Sequence, residues 1–438
     1  MHGERIIGSG RRAALPLGLL ITLATATAQA QYYPPEPPPA SLPWYDALEV
    51  GVFADTYASV NLAFPKPQHD SNQLRAYDVD NGFSLSWVGL DVAYEPDPVG
   101  ASVGLRLGPT AERHADSCLS SDTNRSPCDS DIGLQYVKQA YVSFRPGSPG
   151  TGVQLDLGKF DTIYGAEVAE SQDNQNYTRG LLYWLGRPLF HTGLRLGWEI
   201  VPELEVKALA VNGINNTVDN NAGKTFGAQL GIHPFQSLSI VAGWLGGPEQ
   251  DDTATVLCAE GQSYQPELSR CVDDPDRQGE PAELEVVDRG GANQLDAWRH
   301  LLDLVVSYEP TPALAFVLNL DYVVEGHRES LADDQVRNKR WYGGMLGVEL
   351  AFDEVWALGA RGEYYADPDG RTTDAPDAEL ASGTLTLSAT VAEYLLVRLE
   401  GRGDFALAPD LYEPFLSGVR DTRASQYTVT LGVVASSF

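Results

Sequence analysis

Past residue 31 the chain has no continuous apolar run as long as the roughly 20 residues a membrane-spanning helix needs. That argues against a helical membrane protein. Basic residues are scarce, with 30 Lys and Arg against 60 Asp and Glu, a formal net charge of −30. A phosphate backbone selects basic surfaces, so nucleic acid is a poor partner. Cysteine is also sparse, with four in two local pairs: Cys118 with Cys128, and Cys258 with Cys271. Neither pair has CxxC spacing and no His cluster lies near, which disfavours zinc. In an exported chain, local disulfides are the expectation. Signatures of enzyme chemistry are missing too: there is no GxSxG, HExxH, P-loop or flanked GxGxxG.

What is present begins with an export signal over residues 1–30. Arg5, Arg11 and Arg12 form a basic start, "AALPLGLLITLATA" a short apolar stretch, and "AQA" (Ala28–Ala30) a small-x-small cleavage site. A mature chain from Gln31 carries a formal charge of −32, because the signal holds three Arg and one Glu. Residues 31–45, "QYYPPEPPPASLPWY", favour an extended polyproline spacer on the periplasmic side. Residues 46–438 form one domain.

That domain is written in period two. "VGASVGLRLG" places Val99, Val103, Leu105 and Leu107 on one face and Gly100, Ser102, Gly104 and Arg106 on the other. "LRLGWEI", "LEVKALAVN" and "ALAFVLNLDY" behave alike. Each reads as a strand with one apolar and one polar face. Seven short, turn-rich links (95–98, 145–150, 201–203, 233–236, 309–312, 352–354 and 392–394) alternate with eight long polar ones (62–82, 109–131, 164–189, 213–223, 247–298, 325–339, 367–380 and 408–424). Fifteen links join sixteen strands. Short turns on one side and long loops on the other are the layout of an outer-membrane barrel. Closure also pairs every backbone group in lipid. The predicted fold is therefore all-β: a transmembrane up-and-down antiparallel barrel of about 16 strands. A soluble β-sandwich is the rival, disfavoured because the polar faces are too polar and Gly-rich to meet another sheet. The final strand, "SQYTVTLGVVASSF", ends in an aromatic, Phe438, which partly matches an outer-membrane assembly signal.

The third long loop interrupts the pattern. "GKFDTIYGAEVAESQDNQNYTRGLLYW" is rich in acids, amides and Tyr. A loop of this kind folding into the lumen makes Asp161, Tyr164, Glu167, Glu170, Asp173 and Arg179 the candidate pore constriction, with its carboxylates and amides solvated. Alternation places Arg106, Asp156, Arg195, Arg361, Arg398 and Arg402 on the pore wall, with Lys207. It also points Asp55, Asp91, Glu199, Glu205, Asp303, Asp321, Glu349, Glu363, Glu400 and Asp404 inward. The wall is net negative, and carboxylate rings favour cations. The loop acids are expected to face Arg106, Arg195, Arg361 or Arg398 across the constriction.

This region, "LDLGKFDTIYGAEVAESQDNQNYTRGLLYW" followed by "HTGLRLGW", resembles the signature of the β-barrel porin-2 (OmpL-like) family. The resemblance implies an outer-membrane porin admitting small hydrophilic solutes or ions, with outer-membrane lipid and lipopolysaccharide around it. A homotrimer is a further option. A lipid-acting barrel enzyme and a closed structural or adhesion barrel are the alternatives. No cofactor is expected; "DDPD" (Asp273–Asp276) and "YDVDNG" (Tyr77–Gly82) invite Ca²⁺, but a solvated acidic loop is the plainer reading.

Overall fold

A computed structural model describes residues 44–437 apart from 67–68, 96–97, 118–127, 148–151, 266–269, 280, 282, 289–294, 329–335, 409–411 and 418–421. The export signal, most of the Pro-rich stretch, Cys118 and Phe438 lie outside the described residues. Sixteen strands form one closed antiparallel barrel, each paired with its neighbours in sequence. They are β1 (Leu48–Asn61), β2 (Gly82–Tyr94), β3 (Val99–Leu107), β4 (Val137–Phe144), β5 (Val153–Asp161), β6 (Phe190–Val201), β7 (Leu204–Val211) and β8 (Thr225–Phe235). There follow β9 (Leu238–Pro248), β10 (Trp298–Thr311), β11 (Leu314–Arg328), β12 (Val336–Ala351), β13 (Trp356–Asp369), β14 (Pro376–Ala392), β15 (Leu395–Ala406) and β16 (Ser425–Ser436). β1 closes onto β16, from Phe53 opposite Ser436 to Asn61 opposite Thr428.

The burial pattern is inside out. Leu157 is 64% exposed and Leu302 54%, while Glu400 is 1% and Asp321 4% exposed. Exposed leucines opposite buried carboxylates suit hydrocarbon outside and a polar interior. Aromatics mark both rims. Phe235, Phe352, Trp356 and Tyr394 are exposed at the short-turn end. Stacked Tyr322 and Tyr342 stand toward the long-loop end. Such belts suit the two membrane–water interfaces.

The long loops differ from expectation in length. β11 and β12 run on to Arg328 and from Val336, and β13 and β14 to Asp369 and from Pro376. Ladder hydrogen bonding continues past the apolar band, so polar residues that read as loop are strand. β4 starts at Val137, later than the pattern suggests, because residues 128–136 form turns. The fifth loop, L5 (249–297), carries two small sheets of its own, Thr253–Cys258 with Glu283–Asp288 and Gln262–Gln265 with Arg270–Asp273. Cys258 and Cys271 are disulfide-bonded. In "DDPD", Asp274 accepts from the Asp276 N–H at 3.0 Å and caps a 3₁₀ turn. Among the described residues no cluster of three or more His, Cys, Asp or Glu is arranged to hold a metal ion.

Candidate functional site

The third loop, L3 (162–189), leaves β5 and turns into the barrel. Its ends are tied first. The Thr162 N–H donates to the Leu189 carbonyl at 3.0 Å. Arg187 donates to the carbonyls of Tyr164 (2.8 Å), Pro188 (3.2 Å) and Glu167. Gly165 sits at φ +79, and a Cβ there would come within 2.3 Å of the Arg187 side chain. Glycine alone meets both demands.

From that base L3 is fastened around the wall. Gln229 on β8 donates to the Ile163 carbonyl at 2.6 Å. The Tyr164 hydroxyl donates to the Trp244 carbonyl on β9 at 2.8 Å. Asp303 on β10 accepts from the Gly165 N–H, and Asn319 on β11 from the Ala166 N–H. Trp341 on β12 donates to the Gly186 carbonyl, and Tyr365 on β13 to the Leu185 carbonyl. Asn176 donates to Thr386 on β14. On β15, Glu400 accepts from the Tyr177 N–H (2.7 Å) and the Thr178 hydroxyl (2.5 Å). Asp55 on β1 accepts from the hydroxyls of Ser171 and Tyr177, both at 2.7 Å. Arg106 on β3 and Lys138 on β4 hold Glu170 at 2.7 and 2.8 Å.

Wall glycines make room for the loop. A Cβ on Gly227 or Gly243 would lie 2.3 or 2.7 Å from Tyr164, and one on Gly432 2.2 Å from Tyr177. L1 (62–81) and α1 (Pro109–Ala115) in L2 (108–136) cover the loop from the long-loop side. The Tyr77 hydroxyl lies 2.8 Å from both the Tyr183 hydroxyl and His114 Nδ1. Burial holds His114 well below its ordinary range and pushes Tyr183 up to about 12, so both are neutral. Burial also pushes the Glu170 carboxyl up, but Lys138 and Arg106 outweigh it and hold it below the ordinary carboxylate range.

The expected site residues therefore meet, but in closer contact than a water-lined gap allows. Glu170 pairs with Arg106 at 2.7 Å. Glu167 lies 2.6 Å from Arg361, which also donates to the Thr178 carbonyl. Arg398 and Arg402 do not face acids of L3. They donate to its backbone: Arg398 to the carbonyls of Ser171, Asn174 and Asn176, Arg402 to that of Arg179. Arg195 turns to Asp156 on the neighbouring strand, at 2.8 Å, over the rings of Tyr141 and Phe160. Arg179 is buried 4.7 Å from the Tyr77 ring centroid and donates to the Tyr177 carbonyl. Asp173 ends a 3₁₀ turn, half-buried. Of the carboxylates expected to be solvated, Glu170 is ion-paired and buried and Glu167 ion-paired and nearly so, while Asp161 and Asp173 keep water contact. A cluster of Phe160, Tyr164, Leu181, Leu182, Trp341 and Tyr365 fills the interior beside them.

Sequence reasoning missed Lys138, Lys159, Arg299 and Glu325. Lys138 sits where the β3–β4 register slips between Gly104 and Leu105, which turns it inward against strict alternation. Arg299 pairs with Glu325 at 2.8 Å. The available signal was the row of glycines on polar strand faces, which marks close approach from within.

The sealed and open sides of the lumen differ. Along β2–β7 several ion pairs keep water contact on one partner or both, although Lys159–Asp129 and the pairs of Glu170 are buried. Side chains of Asp91, Asp161, Arg195, Glu205 and Lys207 are one-fifth to two-fifths exposed.

The family described as "Putative beta-barrel porin-2, OmpL-like" matches residues 47–436, so the chain belongs to that family of outer-membrane barrels. Among solved structures, OmpT of Vibrio cholerae is similar at 12% identity, covering 89% of this chain and 97% of that one, with a TM-score of 0.51. A trimer form of the same protein gives 12%, 89%, 99% and 0.50. The outer membrane channel DcaP of Acinetobacter baumannii gives 10%, 89%, 97% and 0.50. At these identities the likeness establishes the fold. No curated protein matches the chain.

Proposed function

We propose that this protein is an outer-membrane channel for small hydrophilic solutes and ions, with L3 as its constriction. The observation that carries the reading is the unequal wetting of the wall: L3 is fastened to β8–β15, to β1 and, through Glu170, to Arg106 and Lys138, while Asp91, Asp161, Arg195, Glu205 and Lys207 on β2–β7 keep partial water contact. Solutes pass along that second wall, by Asp161, Arg195 and Lys207. Its acids and bases alternate, so local selectivity is weak. The acidic excess of the chain lends a modest cation preference. Liposome swelling with sugars of graded size tests the channel, and reversal potentials in a salt gradient test the preference; a clear anion preference would overturn it.

The density of the L3 contacts favours one second reading, a barrel that stays closed. Absence of both swelling and single-channel conductance for every solute and ion tested would establish it. We further propose export with cleavage after Ala30, a periplasmic spacer to residue 45, a second disulfide between Cys118 and Cys128, and a homotrimer. The trimer form of Vibrio cholerae OmpT supports the last. Intact mass, non-reducing peptide mapping and light scattering in detergent test them in turn.

A further inference from the structure

Two carboxyl groups meet beneath the first turn of L3. Asp303 on β10 and Asp321 on β11 stand opposite each other in the ladder and are each 4% exposed. Asp303 Oδ2 accepts from the Gly165 N–H at 3.1 Å and from Asn319 Nδ2 at 3.0 Å. Asp321 Oδ1 accepts from the same Asn319 nitrogen at 3.1 Å. The amide is thereby oriented so that its oxygen accepts from the Ala166 N–H at 2.9 Å. This leaves Asp303 Oδ1 and Asp321 Oδ2 buried, with no donor from other described groups. The two side chains stand close enough that one nitrogen, Asn319 Nδ2, reaches an oxygen of each. Two ionised carboxylates repel at such a separation, whereas one proton between them satisfies both orphan oxygens.

The surroundings offer little else to hold a second negative charge. Among the described residues, Arg187 and Tyr164 of L3 and Tyr365 of β13 are the titratable or charged groups facing the pair. β9 contributes Gly243, β8 Gln229 and β12 Gly343, all neutral. The Arg187 donors go to the three L3 carbonyls, so it tempers the charge from a distance.

We propose that Asp303 and Asp321 share one proton, and that this proton latches the Tyr164–Ala166 turn of L3 to the wall. Loss of the proton leaves two buried negative charges on facing strands. They part, the Asn319 amide loses its orientation, and the N–H groups of Gly165 and Ala166 lose their acceptors together. L3 is then freed at the end nearest β5, and the channel opens as pH rises.

The pH readout in planar bilayers rests on the channel reading, so a second readout stands apart from it. With full-length protein, open probability is expected to rise about tenfold from acid to alkaline pH, the equivalent of one pKa unit of coupling between proton and docking. Asp321→Asn supplies a permanent donor to Asp303, so this variant should stay low and flat across pH. A variant that follows the wild-type curve would overturn the latch. Independently, hydrogen exchange at one alkaline pH should be several-fold faster at the Gly165 and Ala166 amides in wild type than in Asp321→Asn. Equal exchange would overturn the latch even where no conductance is seen at any pH, an outcome that would sink the channel reading alone. Should Asp321→Asn fail to fold, Asp303→Asn serves for both readouts. Opening that responds to added Ca²⁺ or chelator at fixed pH, and not to pH, would show a cation in the proton's place and overturn the assignment.

Discussion

L3 and L5 are both long, polar interruptions of a strand-rich chain, and they end in opposite places. L3 has few carboxylates, and the wall meets them with cations: Arg106 and Lys138 at Glu170, Arg361 at Glu167. Its carbonyls are met by Arg398 and Arg402. L5 holds thirteen acids against three Arg over residues 247–298. It supplies its own order through two hairpin sheets and the Cys258–Cys271 bond. A polar segment can stay inside a barrel only when the wall supplies its missing hydrogen-bond partners, because a buried unpaired charge costs far more than a paired one. Where that match is missing, the loop needs its own ladder or a covalent tie.

The sharpest way to break the contrast is to remove a wall cation. Arg361→Ala leaves Glu167 and Glu363 buried without their shared partner, a loss of about 3–5 kcal/mol of loop seating. Conductance should rise several-fold and the size limit in liposome swelling should grow. Unchanged transport would show that L3 does not depend on this pair. The counterpart in L5 is reduction of Cys258–Cys271. Closing a loop of this order contributes about 3 kcal/mol, so proteolysis within L5 should quicken while conductance stays constant. A change in conductance would mean that L5 reaches the pore. Next comes Gly243→Val, whose side chain would enter the space of the Tyr164 ring. Overpacking of this kind costs about 1–3 kcal/mol, and solute flux should rise by less than in Arg361→Ala.

The smallest effect concerns the base of L5. Glu249 accepts from the Ile214 N–H at 2.8 Å and the Thr225 hydroxyl at 2.6 Å, and burial pushes it up to about 7. A carboxyl raised in the folded state stabilises below its ordinary value of 4.5, and that contribution is lost as pH climbs through about 7. Protection of the Ile214 amide, corrected for intrinsic exchange, should fall over that window in wild type and stay level in Glu249→Gln. A level wild-type profile would refute it.

The barrel was legible because lipid and water impose a period of two on every strand, and short turns leave Pro, Asp and Gly marks. Val103, Leu105 and Leu107 read outward and are exposed; Arg106 reads inward and is buried. The location of the inward loop was equally plain, since alternation stops after Asp161 and resumes at Phe190. The partners inside the lumen were hidden. Alternation says that Arg195 and Arg398 point inward, but it carries no information about height or azimuth. It therefore paired Arg195 with L3 acids that lie elsewhere. Lys138 escaped because a one-residue slip in register reverses the face of a side chain.

What the sequence determined by itself is the closed sixteen-stranded wall and the segment that enters it, because hydrogen-bond saturation in lipid leaves one arrangement for such a pattern. Only the tertiary structure decided which cation meets which carboxylate, and that Asp303 and Asp321 come face to face beneath L3. Those contacts join residues far apart in the chain, brought together by strand tilt, register and the path of one irregular loop, and no local period encodes them.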